Sequence, residues 1–138
     1  MITPAQFDDW LRRYGRAWIG GDPDAVVALF TDDAAYHEVP FAPPMVGAAA
    51  IRHYWTVGAK DGQRNVTFDA TPIALDGDRG YAHWRASFTR VATGAFVELD
   101  GVLAARFDDT GRCREFREWW HRRETPSAAL RAPSEREE

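Results

Sequence analysis

The chain has 138 residues, 45% hydrophobic and 13% aromatic, enough for one domain with a packed core. Its formal net charge is −4, from 17 Lys and Arg against 21 Asp and Glu, and no basic stripe stands out, which argues against a nucleic-acid partner. The single cysteine, Cys113, has no internal partner, which suits a reducing compartment.

Thr3-Pro4-Ala5-Gln6 has the form of a capping box with proline at the first helical position. No basic start or apolar run marks this end as a signal peptide, and no run anywhere nears the roughly 20 apolar residues of a bilayer span. A cytoplasmic protein without a membrane partner is expected. Phe7, Trp10, Leu11, Tyr14 and Trp18 recur on one helix face, and Gly20-Gly21 stops that helix. Asp22-Pro23 opens a second, shorter helix with Val26, Leu29 and Phe30 inward. Thr31-Asp32-Asp33 reads as a turn into a strand around Ala34–Glu38. Pro40, Pro43 and Pro44 exclude a central strand or a helix in the loop that follows. Gly47 precedes a third helix, about Ala48–Gly58, burying Ile51, Tyr54 and Trp55.

From Val66 onward the period changes from helical to two. Val66–Leu75, Arg79–Val91, Phe96–Phe107 and Arg112–Arg123 read as strands, separated by Asp76-Gly77-Asp78, Thr93-Gly94 and Asp108-Asp109-Thr110-Gly111. Turn signals between long alternating runs predict antiparallel hairpins. Helices first and a meander after predict an α+β fold with the helices on one face of the sheet. One domain over residues 1–124 is expected, with residues 125–138 as a flexible, polar C-terminal tail. There is no internal repeat.

Two carboxylates stand out. Glu38 follows the first strand beside Val39, Pro40 and Phe41, a carboxylate between a strand end and an apolar loop. The bland alternative is a solvated loop residue. Glu118 shares a strand face with Phe116 and Trp120, because alternate residues of a strand line one side. A carboxylate between aromatics on the core side needs a partner or a raised pKa. Its bland alternative is a rim residue paired with Arg85 or Arg114. By the same parity Ala82, Trp84, Ala86 and Phe88 face inward, while His83, Arg85 and Ser87 face outward. His37 points away from Glu38, and His53, His83 and His121 are scattered, so no metal site is expected. Cys113 has no base beside it in the sequence and reads as structural.

Set side by side, these features resemble the nuclear transport factor 2-like, or SnoaL-like, superfamily. The matching motifs are Gly20-Gly21-Asp22, Val27-Ala28-Leu29-Phe30-Thr31-Asp32-Asp33-Ala34, Gly47 with Ala50-Ile51-Arg52, and Arg106-Phe107-Asp108-Asp109-Thr110-Gly111-Arg112. The resemblance spans roughly residues 3–123 and implies a cone-shaped fold whose open mouth is a pocket. Tyr14 looks like the oxyanion-binding tyrosine of the ketosteroid isomerases, and Glu38 falls where they carry their carboxylate base. Their acidic second donor falls where this chain has Leu103. The polyketide cyclases of the superfamily use one acidic residue, a role open to Glu38 or Glu118. Arg117-Glu118-Trp119-Trp120 resembles the last-strand carboxylate motif of the limonene-epoxide hydrolases, but the apolar inward positions from Trp84 to Phe88 leave no place for that branch's other charged groups.

The reading is therefore a cofactor-independent isomerase or cyclase acting on a hydrophobic carbonyl compound. The expected catalytic residues are Tyr14, Glu38 and Glu118. The expected pocket lining is Trp18, Phe41, Trp55, Trp84, Phe88, Leu103, Phe116 and Trp120. No cofactor is expected. The alternative is a non-catalytic module that binds a hydrophobic ligand or a partner protein. Tyr81, His83, Arg85, Trp119 and His121 on the outer sheet face, together with the resemblance, imply a homodimer.

Overall fold

Thr3 caps the first helix as its sequence requires. The Thr3 hydroxyl accepts from the Gln6 N–H at 3.1 Å, and Gln6 Oε1 accepts from the Thr3 N–H at 2.9 Å. The computed structural model describes residues 1–130. Helix α1 spans Pro4–Ile19 and buries Phe7, Trp10, Leu11, Tyr14 and Trp18. Asp22 caps α2 (Pro23–Val27), its carboxylate accepting from the Ala25 N–H at 3.1 Å. The Trp10 indole N–H donates to the Leu29 carbonyl at 3.0 Å and ties α1 to the turn after α2.

Strand β1 covers Phe30–His37, so it begins earlier than the expected turn at Thr31-Asp32-Asp33. Those polar residues are accommodated because the register of β1 shifts between Phe30 and Ala35, leaving Asp32 and Asp33 exposed at the irregularity. A two-residue strand, β2 (Met45–Val46), pairs with β1 at the sheet edge. Helix α3 (Ala48–Trp55) is shorter than expected and passes into a π-helical turn over Thr56–Lys60. That turn is closed by the Asp61 N–H on the Thr56 carbonyl at 2.9 Å. Strands β3 (Gln63–Asp76), β4 (Arg79–Arg90), β5 (Phe96–Phe107) and β6 (Cys113–Thr125) follow as antiparallel neighbours. Pro72 is tolerated in β3 because β3 is an edge strand with an irregularity beside that residue.

The fold is α+β: three helices packed on a curved six-stranded sheet of order β2-β1-β6-β5-β4-β3. The first strand pairs with the last in parallel, with Tyr36 beside Phe116 and His37 beside Arg117. The hairpin pattern did not predict this pairing. The inner face is filled by Phe7, Trp10, Tyr14, Phe30, Tyr36, Trp84, Phe107 and Phe116, all at most 3% exposed. Residues 127–130 form one helical turn after β6, and the remainder of the expected tail, 131–138, lies outside the described residues. Among the described residues no helix is long and apolar enough to cross a membrane.

On the inner face Gly101 sits between Trp84 on β4 and Trp120 on β6 in one cross-strand row. A Cβ there would collide with the Trp119 carbonyl oxygen and lie 2.9 Å from Trp120 Cα, which is backbone that cannot step aside. Gly101→Ala is predicted to lower stability by about 2–3 kcal/mol, an overpacking cost. Gly58→Ala, which meets nothing within 4 Å, should cost far less. Urea unfolding of both variants checks this, and equal midpoints would contradict it.

Candidate active site

One cavity of about 260 Å³ opens on the inner face. Glu118 lies in it, 7% exposed, on the β6 face that also carries Phe116 and Trp120. Tyr36 is on β1, and Glu38 is one residue past its end. Continuing the β1–β6 register one step beyond His37 and Arg117 brings Glu38 alongside Glu118. Tyr14 reaches the same cavity from α1, and Tyr54 from α3.

The hydroxyls form two short networks. The Tyr14 and Tyr36 hydroxyls are 2.8 Å apart, and the Tyr54 hydroxyl donates to the Glu38 carboxylate. Phe116 holds the first pair in place: the Tyr36 ring stacks on it at 4.6 Å between centroids and the Tyr14 ring at 5.5 Å. Burial raises the pKa of Tyr14, Tyr36 and Tyr54 well above the usual phenol value, and repulsion from Glu118 raises each further. All three remain hydroxyl donors at neutral pH. Glu118 is likewise pushed well above the usual carboxylate range, first by burial and then by Glu38. The rim pairing considered for Glu118 does not occur, since Arg85 is held by Asp100 at 3.0 Å on the outer face. Among the described residues no cation lies within ion-pair distance of Glu118.

Trp18, Trp55, Trp84, Phe88 and Trp120 line the same cavity as Tyr14, Glu38 and Glu118. Three of the expected lining residues are elsewhere. Phe41 is fully exposed on the proline-containing loop between β1 and β2, so it does not reach the cavity. Phe116 is completely buried behind the two tyrosines, and Leu103 is 1% exposed in the core beside Glu118 on the adjacent strand. Tyr36, Tyr54, Gln63, Arg90 and Arg122 line the cavity without having been anticipated. Strand parity would have found three of them: Tyr36 is two before Glu38, Arg90 two after Phe88, and Arg122 two after Trp120.

His37 sits on the other side of β1, 3.9 Å from Glu115, its pKa lowered by burial and by Arg117. Cys113 is buried with its thiol pushed upward in pKa by desolvation, the environment of an unreactive cysteine. Among the described residues no group of three or more His, Cys, Asp or Glu is gathered for a metal ion.

The raised pKa of Glu118 has a sign that unfolding can test. Between the ordinary carboxylate range and the folded pKa, the folded state holds a proton that the unfolded chain has released. The stability of the neutral form is therefore complete below that range and is lost as pH rises toward the folded value. Glu118→Gln cannot lose a proton. Its stability relative to the unmodified protein is predicted to rise with pH above the ordinary carboxylate range, by up to about 1.4 kcal/mol per unit. Urea unfolding of both proteins from about pH 4, where free carboxylates ionise, up to about pH 8 measures the gap. A gap independent of pH would contradict a neutral Glu118.

Comparison with known proteins agrees with this architecture. A computationally designed 17-OHP binder superposes with a TM-score of 0.76 at 18% identity, covering 86% of this chain and 96% of that one. The protein RV0760c of Mycobacterium tuberculosis gives 0.76 at 15% identity, covering 90% and 99%. The Delta 5-3-ketosteroid isomerase of a Mycobacterium species gives 0.73 at 21% identity, covering 87% and 98%. These likenesses establish the shared fold. The sequence model of the SnoaL-like domain matches residues 11–116, more than half of the chain. The chain therefore belongs to the SnoaL-like domain family.

Proposed function

We propose that this protein is a cofactor-independent proton-transfer enzyme, of isomerase or cyclase type, acting on a hydrophobic carbonyl compound in the cone cavity. One observation carries the reading: a half-buried carboxylate, a buried carboxyl held neutral and a tyrosine pair meet in a single aromatic-walled cavity. A buried acid beside a second, more exposed carboxyl is a pairing suited to acid and base roles in one step.

In this reading Glu38 removes a proton from the carbon next to the carbonyl, and the C–H electron pair moves into the enolate. Charge then develops on the carbonyl oxygen. With Tyr36 donating to the Tyr14 oxygen, the Tyr14 O–H is left for that charge. Protonated Glu118 supplies the second donor. It stands opposite Leu103 in the β5–β6 register, so the acid that the ketosteroid isomerases carry at the Leu103 position would come here from the neighbouring strand. Glu38 finally returns the proton to another carbon in an isomerisation. In an aldol cyclisation the enolate carbon instead bonds to a second carbonyl carbon of the ligand. The π pair of that C=O goes to its oxygen, and the oxygen takes the proton from Glu38. Neither outcome needs a group beyond these.

Deuterium exchange next to the carbonyl of 1-tetralone, followed by NMR, reads the first step without knowledge of the natural substrate. The protein is expected to accelerate exchange. Glu38→Gln should lower the acceleration by about 10²-fold or more, the usual worth of a positioned base. Tyr14→Phe should lower it by roughly 10²-fold, as for loss of one oxyanion donor. Tetralone binding without exchange would overturn the enzymatic reading in favour of a binding module.

We also propose that the chain pairs with a second copy through the outer sheet face. Trp119, 48% exposed, stands beside Val102, 39% exposed, in the β5–β6 register, an apolar spot on an otherwise charged face. Light scattering after size exclusion should give a dimer mass, reduced to a monomer by Trp119→Asp. A monomer before substitution would contradict the pairing.

A further inference from the structure

The inner face of the sheet is ordered in rows that run from the deep end of the cavity to its mouth. Glu118 aligns with Leu103 and Ala82, then Trp120 with Gly101 and Trp84, then Arg122 with Leu99 and Ala86, and then Glu124 with Val97 and Phe88. An apolar and aromatic middle therefore separates the acid from two guanidinium groups, Arg122 and Arg90, which line the same cavity. Four residue steps along β6, from Glu118 to Arg122, set these ends about 13 Å apart along the backbone.

The mouth holds more positive charge than it neutralises. Glu124 is the one carboxylate given to both arginines among the described residues. Arg90 takes it with two hydrogen bonds of 3.1 Å, from Nε and from Nη2, and lies over the Phe88 ring at 5.7 Å. Arg122 stays 3.8 Å from it, beyond hydrogen-bond range, and among the described residues its donors make no hydrogen bond. Gln63, also on the lining, accepts the Trp18 indole N–H at 2.7 Å through Oε1, so its amide NH₂ remains a donor. This surplus does not reflect a generally basic surface, since the chain carries a net charge of −4. The cavity is also small, below the roughly 300 Å³ at which most ligand pockets begin, so a compact ligand would reach both ends.

We propose that the mouth is an anion subsite, and that the ligand is a compact apolar ring system with a carboxylate at the end opposite its carbonyl. The subsite rests on the reading of this cavity as a ligand site. Arg122 is its main contact, with Gln63 beside it and Arg90 held as a fixed positive neighbour. A guanidinium takes a carboxylate through two parallel N–H donors, and the half-open setting leaves that pairing only partly screened.

The test compares 1-tetralone-6-carboxylate with its methyl ester, by isothermal titration calorimetry at two salt concentrations. The carboxylate is expected to bind about 5- to 10-fold more tightly, with the gap narrowing at high salt. Arg122→Ala, a change on a half-exposed side chain, should bring the two affinities together, and Arg122→Lys should restore part of the difference. Equal affinities in the unmodified protein, or a gap that survives Arg122→Ala, would overturn the subsite. Deuterium exchange on the methyl ester is read in the same samples. An affinity gap without exchange would support the subsite while removing the proton-transfer reading, so the two can fail separately.

Discussion

The parallel pairing of β1 with β6 is the constraint on which the site depends. It sets Tyr36 beside Phe116 and leads Glu38 toward Glu118. A slip of one residue would reverse every side chain of β1, turning Tyr36 outward and His37 inward. Two parallel strands also cannot be joined by a tight turn. Here the connection is the whole of α3 and the β3–β5 meander, so the cavity closes only when nearly the entire chain is in place. Such distant pairing slows folding relative to local contacts.

The aromatic shell packs the core and, in the proposed reading, also positions the reacting groups. Tyr14 stacks on Trp10 at 5.3 Å and meets Trp55 edge-on at 5.5 Å, so its hydroxyl has little freedom away from Tyr36. Burial at the aromatic-walled cavity makes the ionised form of Glu118 costly. A hydrophobic residue at position 118 would fit the core with less strain on its electrostatics. Retaining an acid there is the kind of conflict between stability and function that active sites carry. Gly101 contributes by omission, since a side chain would strike the β6 backbone between the two tryptophans of its row.

Much of the fold was legible in the residues. The capping box, the helical spacing from Phe7 to Trp18 and the turn signals gave α1 and the four long strands, and strand parity alone put Glu118 on the inner face. What escaped was non-local. Thr31-Asp32-Asp33 has turn composition, yet it lies in β1 because Phe30 pairs with Cys113, more than eighty positions later. A two-residue strand such as β2 leaves no periodic trace. Phe41 looked like a lining residue from its neighbours, but a loop stiffened by proline points where its ends send it. Tyr54 reaches Glu38 only through the placement of α3 against β1, which helical spacing does not encode.

The protonation of Glu118 underlies the acid–base reading, and carboxyl ¹³C NMR of that residue measures it directly. A neutral, buried acid predicts a resonance that stays at its protonated position through the ordinary carboxylate range, and a titration that moves downward in pH when Glu38 is replaced by glutamine, because one source of repulsion is gone. A Glu118 signal that titrates together with the exposed glutamates, and ignores the loss of Glu38, would contradict both the buried setting of Glu118 and its interaction with Glu38.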